Sequence, residues 1–350
     1  VGIVAIREVL ESRYGDPDMS KPIRTAAVIG TTSWGTVLAV QLARNGVPVA
    51  LVARTSEEAS VLEHDREHRL RLPGVVFPDS LQVTTAFEAV ADADLVCFVV
   101  PSITFQENLE AVDSVIDPDS ILLSATKGID IATGQRMSEL LEAAFPNNST
   151  AVLSGPNLSR EVASGLPTTT VVASVRSVEA LRDAFHSSVF RVYTSHDVIG
   201  VELGGALKNV AAIAGGIVDY FEFGQNAKAA VLTRGLAEMT RLAVAAGADP
   251  LTLQGLAGMG DLVATAYSSY SRNRRLGELL ASGSTLEASV DTIGETVEGT
   301  HTVPAALRLA GSLSVEMPLT ASLEAIMRQK MLPTDAIETL MAREPTSEFR

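Results

Sequence analysis

The chain has 350 residues, 46% of them apolar and 20% charged, which excludes a mainly disordered protein. Its formal charge is −15, from 27 Lys and Arg against 42 Asp and Glu, so a nucleic-acid partner is not expected. The single cysteine, Cys97, excludes an internal disulfide and a Cys-rich zinc site and points to the cytoplasm. No run of about 18 apolar residues appears, so no membrane insertion is expected.

The length suggests two domains. Residues 1–23 read as an extension, followed by a first domain over 24–198 and a second over 199–345. The extension lacks the marks of a secretory signal. Gly15-Asp16-Pro17-Asp18 reads as a turn in it. One reading puts the translational start at Met19.

From Arg24 short apolar runs alternate with helical stretches. Strands are predicted over Ala26–Gly30, Val49–Ala53, Leu95–Val100, Ile121–Ala125, Ala151–Ser154, Thr169–Ser174 and Arg191–Thr194. A helix is predicted over Trp34–Asn45, ending at Asn45-Gly46. The pattern predicts a Rossmann-like α/β domain with a parallel-type sheet covered on both faces. From Val201 onward helices dominate, for example Gly204–Phe221, Ala227–Ala246 and Ala321–Lys330. An all-helical second domain is expected, with a ligand cleft between the two.

The first strand runs into Gly30-Thr31-Thr32-Ser33-Trp34-Gly35. Strand, glycine loop and helix is the order of a dinucleotide fingerprint, in which Gly30 permits the turn and Gly35 close packing. Helix N–H groups would face a pyrophosphate. The middle glycine is Thr32, so the strict motif is not met, and an ordinary strand–helix turn reads nearly as well. Arg54 follows the second strand where an acidic residue marks NAD enzymes. It suits a 2′-phosphate or is a solvated arginine.

Four polar clusters fall in predicted loops or helix starts. Lys127 closes the fourth strand in Ala125-Thr126-Lys127-Gly128, as an anion contact or a solvated lysine. Ser154-Gly155-Pro156-Asn157 is a turn with amide chemistry. Lys208 sits in a run of Gly, Ala, Val and Ile, where a charge is paired, functional or snorkelling. Gly258-Met259-Gly260-Asp261 precedes Ser271-Arg272-Asn273, a phosphate site or a capped helix start. The five histidines form no ligand-spaced set, so no metal is expected, and His64 and His68 read as solvated.

Together these segments resemble one family. SWGTVLA, ATKG, SGPNLSREVASGLPT, ELGGALKN, GLAGMGDLVATAYSSYSRNRRLG and VEGTHT occur in the order found in NAD(P)-dependent glycerol-3-phosphate dehydrogenases, the bacterial form most of all. The resemblance covers about residues 25–340. It implies reversible hydride transfer between dihydroxyacetone phosphate and sn-glycerol 3-phosphate, supplying the glycerophospholipid backbone. The implied catalytic residue is Lys208, as general acid in reduction and base in oxidation. The implied substrate residues are Lys127, Gly155, Asn157, Lys208, Asp261, Ser271, Arg272 and Asn273. The implied cofactor residues are Gly30, Ser33, Trp34, Gly35, Arg54, Lys127, Ser159, Arg272, Thr296 and Glu298. NADPH is favoured over NADH. A small-molecule substrate and a homodimer are the implied partners.

Two departures stand out. Thr31 and Thr32 replace small residues of the family's loop, and Asn157 replaces the bacterial Ser or Thr, as in eukaryotic relatives. Two alternatives follow. One is a cofactor-impaired relative that senses a ligand. The other is a dehydrogenase for another phosphorylated or carboxylated hydroxy compound, such as 6-phosphogluconate or ketopantoate.

Overall fold

A computed structural model of the chain describes residues 21–348 except 177, 345 and 346. Residues 1–20, with the predicted Gly15–Asp18 turn and Met19, lie outside the described residues.

Among the described residues eight strands form one sheet: β1 (Ala26–Ile29), β2 (Val49–Val52), β3 (Leu81–Thr84), β4 (Leu95–Phe98), β5 (Ile121–Ser124), β6 (Ser149–Ser154), β7 (Thr168–Ala173) and β8 (Phe190–Ser195). Their order is β3-β2-β1-β4-β5-β6-β7-β8. Along β1, β2 and β4 alternate residues enter opposite cores. Val28, Leu51 and Cys97 pack on one face, and Ile29, Val52 and Phe98 on the other. Burial on both faces explains why these strands read as unbroken apolar runs. Ile29 pairs with Val52 and with Phe98, so three strands end level. The order reverses between β1 and β4, and the loops after them emerge where doubly wound sheets bind ligands.

The sheet differs from expectation in two places. β3 was not among the seven predicted strands: of Leu81-Gln82-Val83-Thr84 only Leu81 is buried, so this edge strand lacks the apolar signal of the others. β6 and β7 pair antiparallel, the one exception in an otherwise parallel ladder. A short apolar run buried on both faces carries no mark of strand direction. Asn157 holds the chain reversal between them, donating from Nδ2 to the Thr169 carbonyl at 2.9 Å and accepting the Thr170 hydroxyl at Oδ1 at 2.9 Å.

Helix α1 (Ser33–Arg44) follows β1, and α2 (Ser56–Asp65) follows β2. Two compact units make up the chain. The second begins at Ile199 and takes in two excursions, Pro101–Ile103 and Lys127–Arg136, which a single cut at 198/199 assigns to the first.

In the second unit, α3 (Val198–Tyr220) starts six residues before the predicted Gly204. It is followed by α4 (Gly224–Ala245), α5 (Asp261–Tyr267), α6 (Arg272–Ala281), α7 (Gly299–Ser312) and α8 (Pro318–Met327). The helix α3 is buried on nearly all sides. Leu203, Ala206 and Leu207 enter one cluster, while Val210, Ile213 and Ile217 enter another. Although it holds no unbroken apolar run of about 18 residues, α3 is by length and composition long and apolar enough to cross a membrane. Its most apolar stretch is 94% buried inside the protein, the condition of a core helix.

Candidate active site

Lys208 lies in the middle of α3, only 7% exposed. Its Nζ donates to Asp261 Oδ1 at 2.7 Å and to Thr265 Oγ1 at 2.6 Å. Asp261 opens α5, its own N–H bonded back to the Leu256 and Gly258 carbonyls. A π-helical turn, Leu256–Gly260, precedes it. Thr265, one helical turn on, donates its own hydroxyl to Asp261 Oδ1 at 3.2 Å. Lys127 reaches the other carboxylate oxygen, its Nζ 2.5 Å from Oδ2. One nearly inaccessible carboxylate therefore stands between two ammonium groups, and the cluster carries one net positive charge.

Burial is the main influence on Lys208 and pulls its pKa down to about 8. Asp261 opposes the shift, and Lys127 and Arg272 add to it. An amine poised there can give or take a proton near neutral pH. Two of its three N–H donors are spent on Asp261 and Thr265, and one remains for an oxygen of a bound molecule. The sequence left Lys208 open between a functional and a snorkelling lysine; its head group is buried and paired.

A second group lies beside it in sequence. Asn209 Oδ1 accepts from Asn273 Nδ2 at 2.8 Å, and Asn273 Oδ1 accepts the Gly299 N–H at 2.9 Å. Both ends of the Asn273 amide thus tie α3, α6 and the start of α7. Ser271 caps α6, accepting the Arg274 N–H at 3.2 Å. Arg272 begins that helix with its guanidinium 40% exposed and a long 3.5 Å contact to Glu295. The Glu298 carboxylate takes the Ser102 N–H at 3.1 Å and its hydroxyl at 2.6 Å. Burial pushes the Glu298 pKa up. Thr296 is half-buried two residues before it.

The first unit holds the other sequence-derived residues. Gly30 has φ +109°, and a Cβ there would stand 2.7 Å from the Val99 carbonyl. A Cβ on Gly35 would stand 2.1 Å from the Gly30 carbonyl. Only glycine fits either place. Thr32 adopts φ −59°, ordinary for any residue. Its hydroxyl accepts the Gly35 N–H at 3.0 Å and donates to the Val99 carbonyl at 2.9 Å. The replaced glycine has become the cap of α1. Arg54 is exposed at the end of β2. Gly155, at φ +148°, follows β6 beside Asn157, and Ser159 opens a short helix.

A dinucleotide suits this loop. The buried Trp34 Nε1–H has no acceptor among the described residues, and the first-turn N–H groups of α1 at Ser33 and Trp34 have no intrahelical partner. Ser33 and Trp34 could offer those N–H groups to a pyrophosphate.

Family models match both parts of the chain. The model for the N-terminus of NAD-dependent glycerol-3-phosphate dehydrogenase matches residues 25–180, and that for its C-terminus matches residues 197–338. The chain belongs to this NAD(P)-dependent glycerol-3-phosphate dehydrogenase family. It is 46% identical over 329 residues to the glycerol-3-phosphate dehydrogenase [NAD(P)+] of Chlorobium limicola, covering 92% of this chain and 98% of that one. The enzyme of the same name from Streptomyces griseus is 43% identical, covering 95% and 100%. The crystal structure of the Coxiella burnetii glycerol-3-phosphate dehydrogenase superposes with a TM-score of 0.88 at 36% identity, covering 91% and 99%. A ketopantoate reductase from Ralstonia eutropha, at 18% identity and a TM-score of 0.57, shares the fold.

Several residues of this family member escaped the sequence reading. Thr265 was legible from its i+4 spacing to Asp261. Ser102 was legible from its place just after the β4 strand. The buried pair Arg136 and Glu202, 3.0 Å apart, carried no local signal. His68, read as solvated, is 5% exposed, with Nε2 3.2 Å from the Thr31 carbonyl. Its charged surroundings in sequence hid a ring turned inward.

Proposed function

We propose that the chain reduces dihydroxyacetone phosphate to sn-glycerol 3-phosphate, reversibly, with Lys208 as the acid–base group. The observation that carries this reading is the buried Lys208–Asp261–Lys127 cluster in a chain matched to the family along nearly its whole length. The reduced nicotinamide, when bound, supplies the hydride to the carbonyl carbon.

The protein's part is binding and proton transfer. The remaining Lys208 N–H donates to the substrate carbonyl oxygen and passes its proton to that oxygen as negative charge develops. In the reverse direction the neutral amine accepts the hydroxyl proton. Asp261 holds Lys208 in place and keeps enough positive charge on it to act as an acid. Lys127 adds a second cation near the same oxygen. Arg272, at the start of α6 and only loosely tied to Glu295, binds the phosphate through its guanidinium and the neighbouring helix N–H groups. Ser271 caps this helix start, and Asn273 holds it to Asn209 and α7. Gly155 and Asn157 serve the substrate, and Ser159, Thr296 and Glu298 the cofactor, in this reading. A remote phosphate grip orients the carbonyl without touching the reacting atoms.

Arg54 supports NADPH over NADH. A homodimer, a cytoplasmic location and supply of the glycerophospholipid backbone belong to the same reading. No observation favours the ligand-sensing alternative, since its sole support was Thr32, which caps α1 in an unstrained conformation. The test is a coupled identification of product. Dihydroxyacetone phosphate with NADPH should yield sn-glycerol 3-phosphate of one hand, and ketopantoate and 6-phosphogluconate should give no turnover. Preference for either of the latter would overturn the reading.

A further inference from the structure

We propose that Glu58, anchored on the glycine loop by Thr31, sets how far this chain discriminates NADPH from NADH. The inference rests on the reading that the loop after β1 binds a dinucleotide.

Glu57 and Glu58 both fall in the first turn of α2, behind the Thr55 cap. Glu57 is exposed, as a first-turn glutamate normally is. Glu58 is half-buried, and its Oε1 accepts the Thr31 hydroxyl at 2.6 Å. Thr31 is itself 7% exposed. Its carbonyl lies 3.2 Å from His68 Nε2, so the residue is gripped at both its backbone and its hydroxyl. A fixed carboxylate thus stands directly after Gly30, joining the glycine loop to the helix that follows β2.

In doubly wound folds a carboxylate at this edge favours the two ribose hydroxyls of NADH, and an arginine favours the 2′-phosphate of NADPH. This chain carries both signs four residues apart. Arg54 is exposed, so its charge is screened by water. Glu58 is tethered and cannot withdraw as a solvated glutamate would. Oε1 is taken by Thr31, and Oε2 can accept a ribose hydroxyl but repels a phosphate. Glu58 therefore offsets the preference that Arg54 alone would impose.

The test compares 2′,5′-ADP with 5′-AMP, which differ by the 2′-phosphate alone, by titration calorimetry. Glu58→Gln keeps an oxygen that accepts the Thr31 hydroxyl and removes the charge. It should raise the preference for 2′,5′-ADP about five- to tenfold, the scale of one screened charge beside a phosphate dianion. The gain should shrink in high salt. The NADPH to NADH ratio of kcat/KM should move the same way. Thr31→Val releases the carboxylate, so it should raise the preference less, and add nothing to Glu58→Gln in the double variant. Arg54→Ala should lower the preference. If Glu58→Gln changes both nucleotides equally, or neither, the inference fails while the enzyme reading stands. If the unaltered protein binds glycerol phosphate but neither nucleotide, the loop reading fails and the inference with it.

Discussion

Asp261 faces Lys208 through one carboxylate oxygen and Lys127 through the other, at 2.7 Å and 2.5 Å. Both lysines therefore lean on the same buried carboxylate. Asp261→Asn would leave two cations together and out of water. Loss of a buried ionic partner costs about 3–5 kcal/mol, so a large fall in Tm is expected. The surviving folded protein should lose about 100-fold or more in kcat. The upper pKa of its reduction profile should fall, because the influence that raises the Lys208 pKa is gone. A profile unmoved by the substitution would show that Asp261 does not set the lysine.

The Lys208 pKa near 8 carries a sign for both directions of the reaction. Reduction needs the ammonium form. Its kcat/KM should be level below pH 8 and fall above it. Oxidation needs the neutral amine and should rise through the same pH. In the unfolded chain this lysine titrates near its ordinary value of 10.5. Between pH 8 and 10.5 the unfolded state binds more protons, so Lys208 contributes less destabilisation as pH rises through that window. Initial rates in both directions from pH 6 to 10 check the kinetic part, and Tm over the same range checks the other.

Thr32 should matter more to stability than to catalysis. Its hydroxyl caps α1 and bonds Val99. Thr32→Ala should cost about 1 kcal/mol, the usual value of an N-cap. Thr32→Ser should cost little, and a thermal melt separates the two. Equal melting temperatures for all three proteins would mean that the cap contributes nothing.

Glu238 is buried in α4 and accepts three bonds at the start of α8: the Leu319 N–H at 2.6 Å, the Thr320 N–H at 3.1 Å and the Thr320 hydroxyl at 2.9 Å. A side chain from one helix thus caps another. Glu238→Gln replaces one acceptor by a donor and should cost about 1–3 kcal/mol, seen as a lower Tm with kcat unchanged. An unchanged Tm would contradict the capping role.

Much of this is legible in the amino-acid sequence. The central strands could be read because both faces of β1, β2, β4 and β5 are buried, which leaves an apolar run. β3 could not, since an edge strand with one buried residue looks like loop. Lys208 could be singled out because a charge amid small apolar residues is unusual, and Asp261 because it follows a glycine-rich turn. What sequence could not supply was pairing over long separations. Arg136 meets Glu202 across 66 residues, and Ser102 meets Glu298 across 196. His68 was misjudged for the same reason, since its partner is the Thr31 carbonyl, 37 residues away.

Lys208 moves the proton in the proposed reaction. The direct measurement is NADPH and NADH oxidation with dihydroxyacetone phosphate, followed by absorbance, for the unaltered protein and for Lys208→Ala. The unaltered protein should turn over. The variant should still bind nucleotide and lose about 100- to 10,000-fold in kcat, the usual worth of a positioned acid–base group. Full turnover in the variant would remove Lys208 from the proton transfer, and none in the unaltered protein with either cofactor would overturn the dehydrogenase reading.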